Sequence, residues 1–251
     1  MSKRLPEFIG LGVQKGGTTT LQRLLEQHPG VFLPPSKELH YFTLNYLQGE
    51  DWYRYQFSKA QSGQLCGEVT PYYFFHPQVP QRIETLLPNA RLILLLRDPV
   101  DRCVSQYFHS RRLGLEPLGL EEALAAEDER LEGSISALEA IDGRHRSHQE
   151  HSYLSRSRYE QQLPHWQQRF SADQLLILRS EDLFLSPQKV WEQVLIFLGL
   201  QYVPLPALSQ PANAGSGEAK QLPEPLWEFL RQQLNPTYAW VAEHTGIRWS
   251  K

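Results

Sequence analysis

The chain reads as an α/β protein: a three-layer fold with a central parallel sheet and helices on both faces. Three observations carry this reading. Apolar runs rich in β-formers alternate with amphipathic stretches along the sequence, a rhythm that places parallel strands between covering helices. The segment FIGLGVQKGGTTTL, residues 8–21, joins an apolar strand to a helix through a tight glycine-containing turn. Finally, 251 residues with 41% hydrophobic content suffice for one substantial core, so a single domain spanning 1–251 is expected.

The elements follow in order. A strand is expected at 8–13, a helix at 18–27 and a short apolar strand in GVFL, 30–33. Apolar runs predict strands at 64–69, 91–96 and 174–178, and amphipathic stretches predict helices at 77–87, 100–112, 157–170, 187–198 and 223–234. Residues 114–152 break the rhythm: the acidic stretch GLEEALAAEDERLEG reads as an exposed helix, and the polar IDGRHRSHQEHS after it as a loop. His145, His148 and His151 recur there every three residues. Metal binding is one reading of that spacing, but with no cysteine nearby a solvated loop touching an acceptor is favoured. Residues 205–218 read as a second loop rather than a domain linker. In sheets of this kind ligands bind beyond the carboxyl ends of the strands, which directs attention to the loops after Val13, Val69 and Leu96.

Composition excludes some classes. With 25 Lys and Arg against 28 Asp and Glu, the formal net charge of -3 argues against general nucleic-acid binding. Two cysteines, Cys66 and Cys103, imply no disulfide framework and read as packed thiols in a reducing compartment. MSKRLPEFIG runs straight into the first strand, and no run approaches the ~20 apolar residues of a membrane span, so a soluble, cytoplasmic protein is the expectation.

Three constellations carry chemistry. The first is the turn before residue 18, where the opening helix presents backbone N–H groups without intrahelical partners and about half a positive charge of macrodipole. Gly16 and Gly17 let the backbone bend closely around an anion, Thr18, Thr19 and Thr20 add hydroxyls, and Lys15 adds a mobile cation. An ordinary strand–turn–helix connection has the same outline. Gly12 to Gly17 reproduces the glycine spacing of the nucleotide-binding P-loop, G-x-x-x-x-G-K-[ST], but Thr18 stands where that motif needs lysine and Lys15 lies inside the loop. The fold is therefore P-loop-like rather than a standard P-loop.

The second constellation is LILLLRDPVDRCVSQYF, residues 92–108. Arg97 lies where the strand ends and Ser105 two turns into the following helix, and a guanidinium with a hydroxyl suits a phosphate monoester. The third is PPSKELHYF, 34–42, in which Glu38 and His40 are two apart and share a face of an extended segment. They are acid–base candidates, with a solvated glutamate and a structural histidine as the plainer alternatives.

Together these segments resemble the sulfotransferases that use 3′-phosphoadenosine 5′-phosphosulfate (PAPS), nearest to the heparan-sulfate glucosaminyl N- and 3-O-sulfotransferase domains in a bacterial form. The likeness implies that the Lys15 loop holds the 5′-phosphosulfate and that RDP-x-x-R-x-x-S, Arg97 through Ser105, selects the 3′-phosphate. It makes Glu38 the general base, with His40 orienting it or the acceptor, and matches Ser157 and Tyr159 by position to residues near the nucleotide. GEVTPYYFF, 67–75, resembles the segment between cofactor and acceptor, with Val69 where several animal enzymes have lysine; Tyr72 and Tyr73 read equally as an acceptor wall or as core. Residues 213–220 fall where the family closes a glycine-rich loop over the nucleotide, and match it poorly. The implied reaction moves a sulfuryl group from PAPS, the co-substrate, without a metal, to a hydroxyl or amino group of a sugar or other small-alcohol acceptor. A phosphotransferase on the P-loop architecture, or a non-catalytic binder of adenosine bisphosphate or of an acidic glycan, stand as alternatives.

Overall fold

The computed structural model describes residues 4–207 and 222–249. Five strands, β1 (Phe8–Gly12), β2 (Val31–Phe32), β3 (Leu65–Val69), β4 (Arg91–Leu96) and β5 (Leu175–Arg179), form a parallel sheet in the order β2-β3-β1-β4-β5. The strand sequences explain the burial. Leu92, Leu94 and Leu96 of β4 join Ile9 and Leu11 on one face, while Ile93 and Leu95 join Phe8 on the other, so a continuous apolar run serves two cores through the two-residue period.

Helices cover both faces, as expected. On one side α1 (Thr18–Glu26) contributes Leu21, Leu24 and Leu25. A later helix there, Pro187–Leu198, contributes Val190, Trp191, Val194, Leu195 and Leu198. Each fully buried side chain of this kind is worth roughly 1.5–3 kcal/mol. In chain order the intervening helices are α2 (Gly49–Gln56), α3 (Val79–Leu86), α4 (Pro99–Arg112), α5 (Leu120–Ala125), α6 (Glu127–Leu131), α7 (Ser134–Glu139), α8 (Arg146–Glu150), α9 (Tyr159–Gln167) and α10 (Asp182–Leu185). Pro187–Leu198 is then α11, and α12 (Glu224–Gln233) and α13 (Asn235–Thr245) follow. The second face is packed by Ile83 of α3, Val100 and Val104 of α4, Leu163 and Trp166 of α9, Leu230 of α12 and Val241 of α13.

The strands and main helices agree with the sequence reading within a few residues. The reading passed over α2, whose first turn carries Glu50 and Asp51, and α13, which has a proline in its first turn. It also misread 114–152. The acidic stretch is not one exposed helix: it breaks between α5 and α6, because the buried carboxylate of Glu127 turns inward to accept the backbone N–H groups of Tyr153, Leu154 and Ser155 at 2.7–2.9 Å. Nor is the polar stretch a solvated loop, since it forms α8 and buries His148 and His151. Cys66 and Cys103 are free and buried.

The topology locates a crevice. The chain runs from β1 out to β2 at the sheet edge, returns to β3 beside β1, and crosses to β4 on the other side of β1. Strand order therefore reverses around β1, and the loops leaving β1, β3 and β4 meet at the carboxyl edge, where α/β sheets place their ligands.

Candidate active site

The loop after β1 is tightly determined. Val13 N–H donates to Leu95 O at 2.9 Å, and Gly16 N–H folds back to Val13 O at 2.9 Å. A Cβ on Gly16 would lie 2.8 Å from Leu95 O and 2.9 Å from Val13 O, both backbone atoms that cannot swing away. Gly17 caps α1 with φ 86° and brings no side chain to the cap, so no side-chain cap takes up the first-turn N–H groups of Thr18 and Thr19. Lys15 also has positive φ, 68°. Ser180, in the turn after β5, donates its hydroxyl to Gly16 O at 2.8 Å. Thr20 Oγ1 is buried without a hydrogen-bond partner among the described residues.

Arg97 follows β4 directly, and its Nη1 donates to Lys15 O at 2.9 Å. The first two sequence constellations are thus one structure. Asp101 lies 3.9 Å from Arg97 Nη2, and Tyr159 donates its hydroxyl to Arg97 O at 2.9 Å. Ser105 is buried on α4, with no side-chain hydrogen bond to a described residue. Ser157 and Tyr159 are both fully buried, Tyr159 against the Arg97 carbonyl. The Ser157 hydroxyl accepts from Arg102 Nε at 2.6 Å and donates to Tyr153 O at 3.0 Å. Arg102, fully buried, also donates to Gln106 Oε1 and Tyr153 O. Burial lowers the pKa of this guanidinium from its ordinary value.

Glu38 and His40 do meet, though by a different geometry from the extended segment expected. Both residues have positive φ, 56° and 51°, and the intervening Leu39 is drawn into the core. Asn45 holds this turn, its side-chain amide donating to Leu39 O at 2.8 Å and its N–H to His40 O at 2.9 Å. His40 Nε2 lies 3.6 Å from Glu38 Oε2, and its Nδ1 lies 3.1 Å from Thr43 Oγ1. Lys37 ties the turn to α1: its ammonium bonds Thr19 Oγ1 and lies 3.6 Å from Glu38 Oε1. Burial alone would raise the Glu38 pKa. The hydrogen bond from His40 and the charge of Lys37 outweigh it, holding the carboxyl below its ordinary range and ionised at neutral pH.

A second carboxylate supports this turn from beneath. Buried Glu68 accepts from the Tyr53 and Tyr73 hydroxyls on Oε1 and from Thr70 on Oε2 at 2.8 Å. Tyr73 in turn accepts the Phe42 N–H at 3.3 Å. Burial pushes the Glu68 pKa up, against the three hydroxyl hydrogen bonds. Tyr73 is therefore a core residue. Tyr72, also buried, bonds His148 Nδ1 at 2.9 Å and lies under the Arg156 guanidinium, which reaches Gln14 of the loop after β1.

Sequence reasoning missed Arg102, Glu68, Arg156 and His109. The last had a readable signal, since His109 sits one turn after Ser105 on α4. It is half-buried, and burial, then the positive charges of Lys15 and Arg112, lower its pKa against the opposing charge of Glu38. The expected 213–220 loop lies outside the described residues. Among the described residues no group of three or more His, Cys, Asp or Glu is placed to hold a metal ion, and no helix is long and apolar enough to cross a membrane.

Comparison with known proteins bears on the family and the fold. The chain is 32% identical over 206 residues to heparan sulfate glucosamine 3-O-sulfotransferase 3B1 of Mus musculus, covering 80% of this chain and 48% of that one. Over 109 residues it is 44% identical to the membrane-associated sulfotransferase kil1 of Dictyostelium discoideum, covering 42% of this chain and 23% of that protein. It thus spans about half or less of the length of these curated relatives. The crystal structure of a sulfotransferase from Alicyclobacillus acidocaldarius superposes with a TM-score of 0.73 at 26% identity, covering 95% of this chain and 96% of that one. With residues 5–209 matching the family model for the sulfotransferase domain, the chain belongs to the sulfotransferase family.

Proposed function

We propose that this chain transfers a sulfuryl group from PAPS to a hydroxyl group of a sugar or similar alcohol. One observation carries the reading: the Arg97–Lys15 hydrogen bond joins two anion-suited sites across β1 and β4, and Lys37 joins the first of them to the ionised Glu38. The residues fit such a nucleotide. Gly16 has no room for a Cβ against Leu95 O and Val13, so only glycine lets the loop take this path, Thr20 Oγ1 is a buried hydroxyl without a partner among the described residues, and Ser105 is a buried hydroxyl on α4. When bound, PAPS supplies an activated sulfuryl group on a phosphate leaving group.

The chain's own groups do the rest. The first-turn N–H groups of α1, the Thr18 and Thr19 hydroxyls and the Lys15 ammonium would hold the 5′-phosphosulfate and stabilise charge developing on the bridging oxygen. Arg97 and Ser105 would hold the 3′-phosphate, with Tyr159 and Ser157 fixing Arg97 and its helix from behind. Glu38 would take the acceptor proton on a carboxylate oxygen, with His40 and Lys37 fixing its direction. The 32% likeness over 80% of the chain to a heparan sulfate 3-O-sulfotransferase supports a sugar hydroxyl as acceptor.

The test is a screen of hydroxyl-bearing saccharides and alcohols with PAPS, scored by the mass gain of one sulfuryl group. Transfer should fall by about 10²- to 10⁴-fold in Glu38→Gln with nucleotide affinity retained. Near-normal turnover in that variant removes Glu38 from the role of base, and no transfer to any acceptor by the unaltered chain contradicts the reading.

A further inference from the structure

The Arg97–Asp98 peptide group is held at both of its polar atoms. Its carbonyl, Arg97 O, accepts the Tyr159 hydroxyl at 2.9 Å, and its N–H, on Asp98, donates to Glu181 Oε1 at 2.9 Å. The Asp98 side chain caps α4 by accepting from Val100 and Asp101 N–H at 2.9 and 3.0 Å. Two more contacts come from the far end of the chain. Tyr238 of α13 places its hydroxyl 2.8 Å from each carboxylate oxygen of Asp98, and Trp249 donates its indole N–H to Glu181 Oε2 at 2.8 Å. Both lie beyond residues 5–209, the span matched by the family model.

These contacts are specific. The two rings meet edge to face at 5.9 Å, and the Arg231 guanidinium covers the Tyr238 ring at 3.5 Å from its centroid. The ring is therefore fixed by packing, and the hydroxyl is an additional, separable contact to a carboxylate. Such charge-assisted bonds are stronger than neutral ones, and a cap held in one rotamer fixes the start of its helix.

We propose that Tyr238 and Trp249 are positioning residues, which hold the Asp98 cap and the Glu181 carboxylate so that Arg97 meets the 3′-phosphate of the nucleotide at a fixed place and angle. This rests on the assignment of Arg97 to that phosphate. The carboxy-terminal segment acts on nucleotide selectivity from behind the site, touching neither substrate.

Calorimetric titration of adenosine 3′,5′-bisphosphate and of AMP against the full chain and its Tyr238→Phe and Trp249→Phe variants tests this, with thermal unfolding as a check on folding. Tyr238→Phe keeps the ring and loses only the hydroxyl. The bisphosphate should bind about five- to tenfold more weakly in each variant, with AMP affinity changed less than about twofold. A merely structural role would weaken both nucleotides alike or neither, and either result overturns the proposal. A bisphosphate preference that survives Tyr238→Phe overturns this proposal alone. Absence of any preference in the unaltered chain overturns the nucleotide assignment and this proposal with it.

Discussion

Two histidines are buried in neutral form beside the candidate site, and they should destabilise this fold as pH falls below about 6.5. His148 stacks on Phe75, bonds Tyr72 and faces Arg156; burial, then the Arg156 charge, lower its pKa to about 2. His76 is lowered to about 3, again by burial first and then by the charge of Arg82. In the unfolded chain both return to about 6.5 and take up protons below that pH, while the folded protein does not. Stability therefore falls as pH drops from about 6.5 towards 3, by about 1.4 kcal/mol per pH unit per histidine. At pH 5 the pair costs about 4 kcal/mol, a large share of the 5–15 kcal/mol typical of a domain. Glu68 and Glu181, whose pKa values are raised by burial, act in the opposite direction, so the comparison must be differential. Urea unfolding from pH 7.5 to 4.5 should show that His148→Asn, which can still bond Tyr72 but does not titrate, removes about 1.4 kcal/mol per pH unit from the slope. A slope unchanged by that substitution would refute the reasoning.

Two further substitutions follow from the geometry. Gly16→Ala drives a Cβ to 2.8 Å from Leu95 O, so it should cost about 1–3 kcal/mol of stability in urea unfolding and weaken nucleotide binding by at least about tenfold in calorimetry. Arg102→Met strips Ser157, Gln106 and the Tyr153 carbonyl of a buried donor and should lower stability by about 3–5 kcal/mol, read from the urea midpoint at constant m.

Local pattern made the sheet legible, and long-range pairing hid the support of the site. The runs FIGLG and RLILLL can only be strands buried on both faces, and Lys15 and Arg97 were readable because each follows such a strand at the edge where ligands bind. Glu38 and His40 were found through a two-residue spacing that assumed an extended backbone. They converge because the burial of Leu39 and the Asn45 hydrogen bonds force two left-handed residues, which spacing alone does not reveal. Arg102 pairs with a serine 55 positions away and Glu127 with backbone groups 26 to 28 away, so a charged residue that ends up buried looks like any surface charge in the sequence. The same holds for the histidines of 145–151. Their polar surroundings suggest solvent, yet His148 is buried against the aromatic rings of Tyr72 and Phe75, contributed from more than seventy residues upstream.

The central claim is that two anion-binding sites, joined by the Arg97–Lys15 hydrogen bond, receive the two phosphate ends of one nucleotide. Calorimetry of adenosine 3′,5′-bisphosphate against AMP, in the unaltered chain and in Arg97→Ala, tests it most directly. The expected result is a preference of at least about tenfold for the bisphosphate, about 1.4 kcal/mol, that disappears in Arg97→Ala. Equal binding of the two nucleotides by the unaltered chain, or a preference that persists without Arg97, would contradict it.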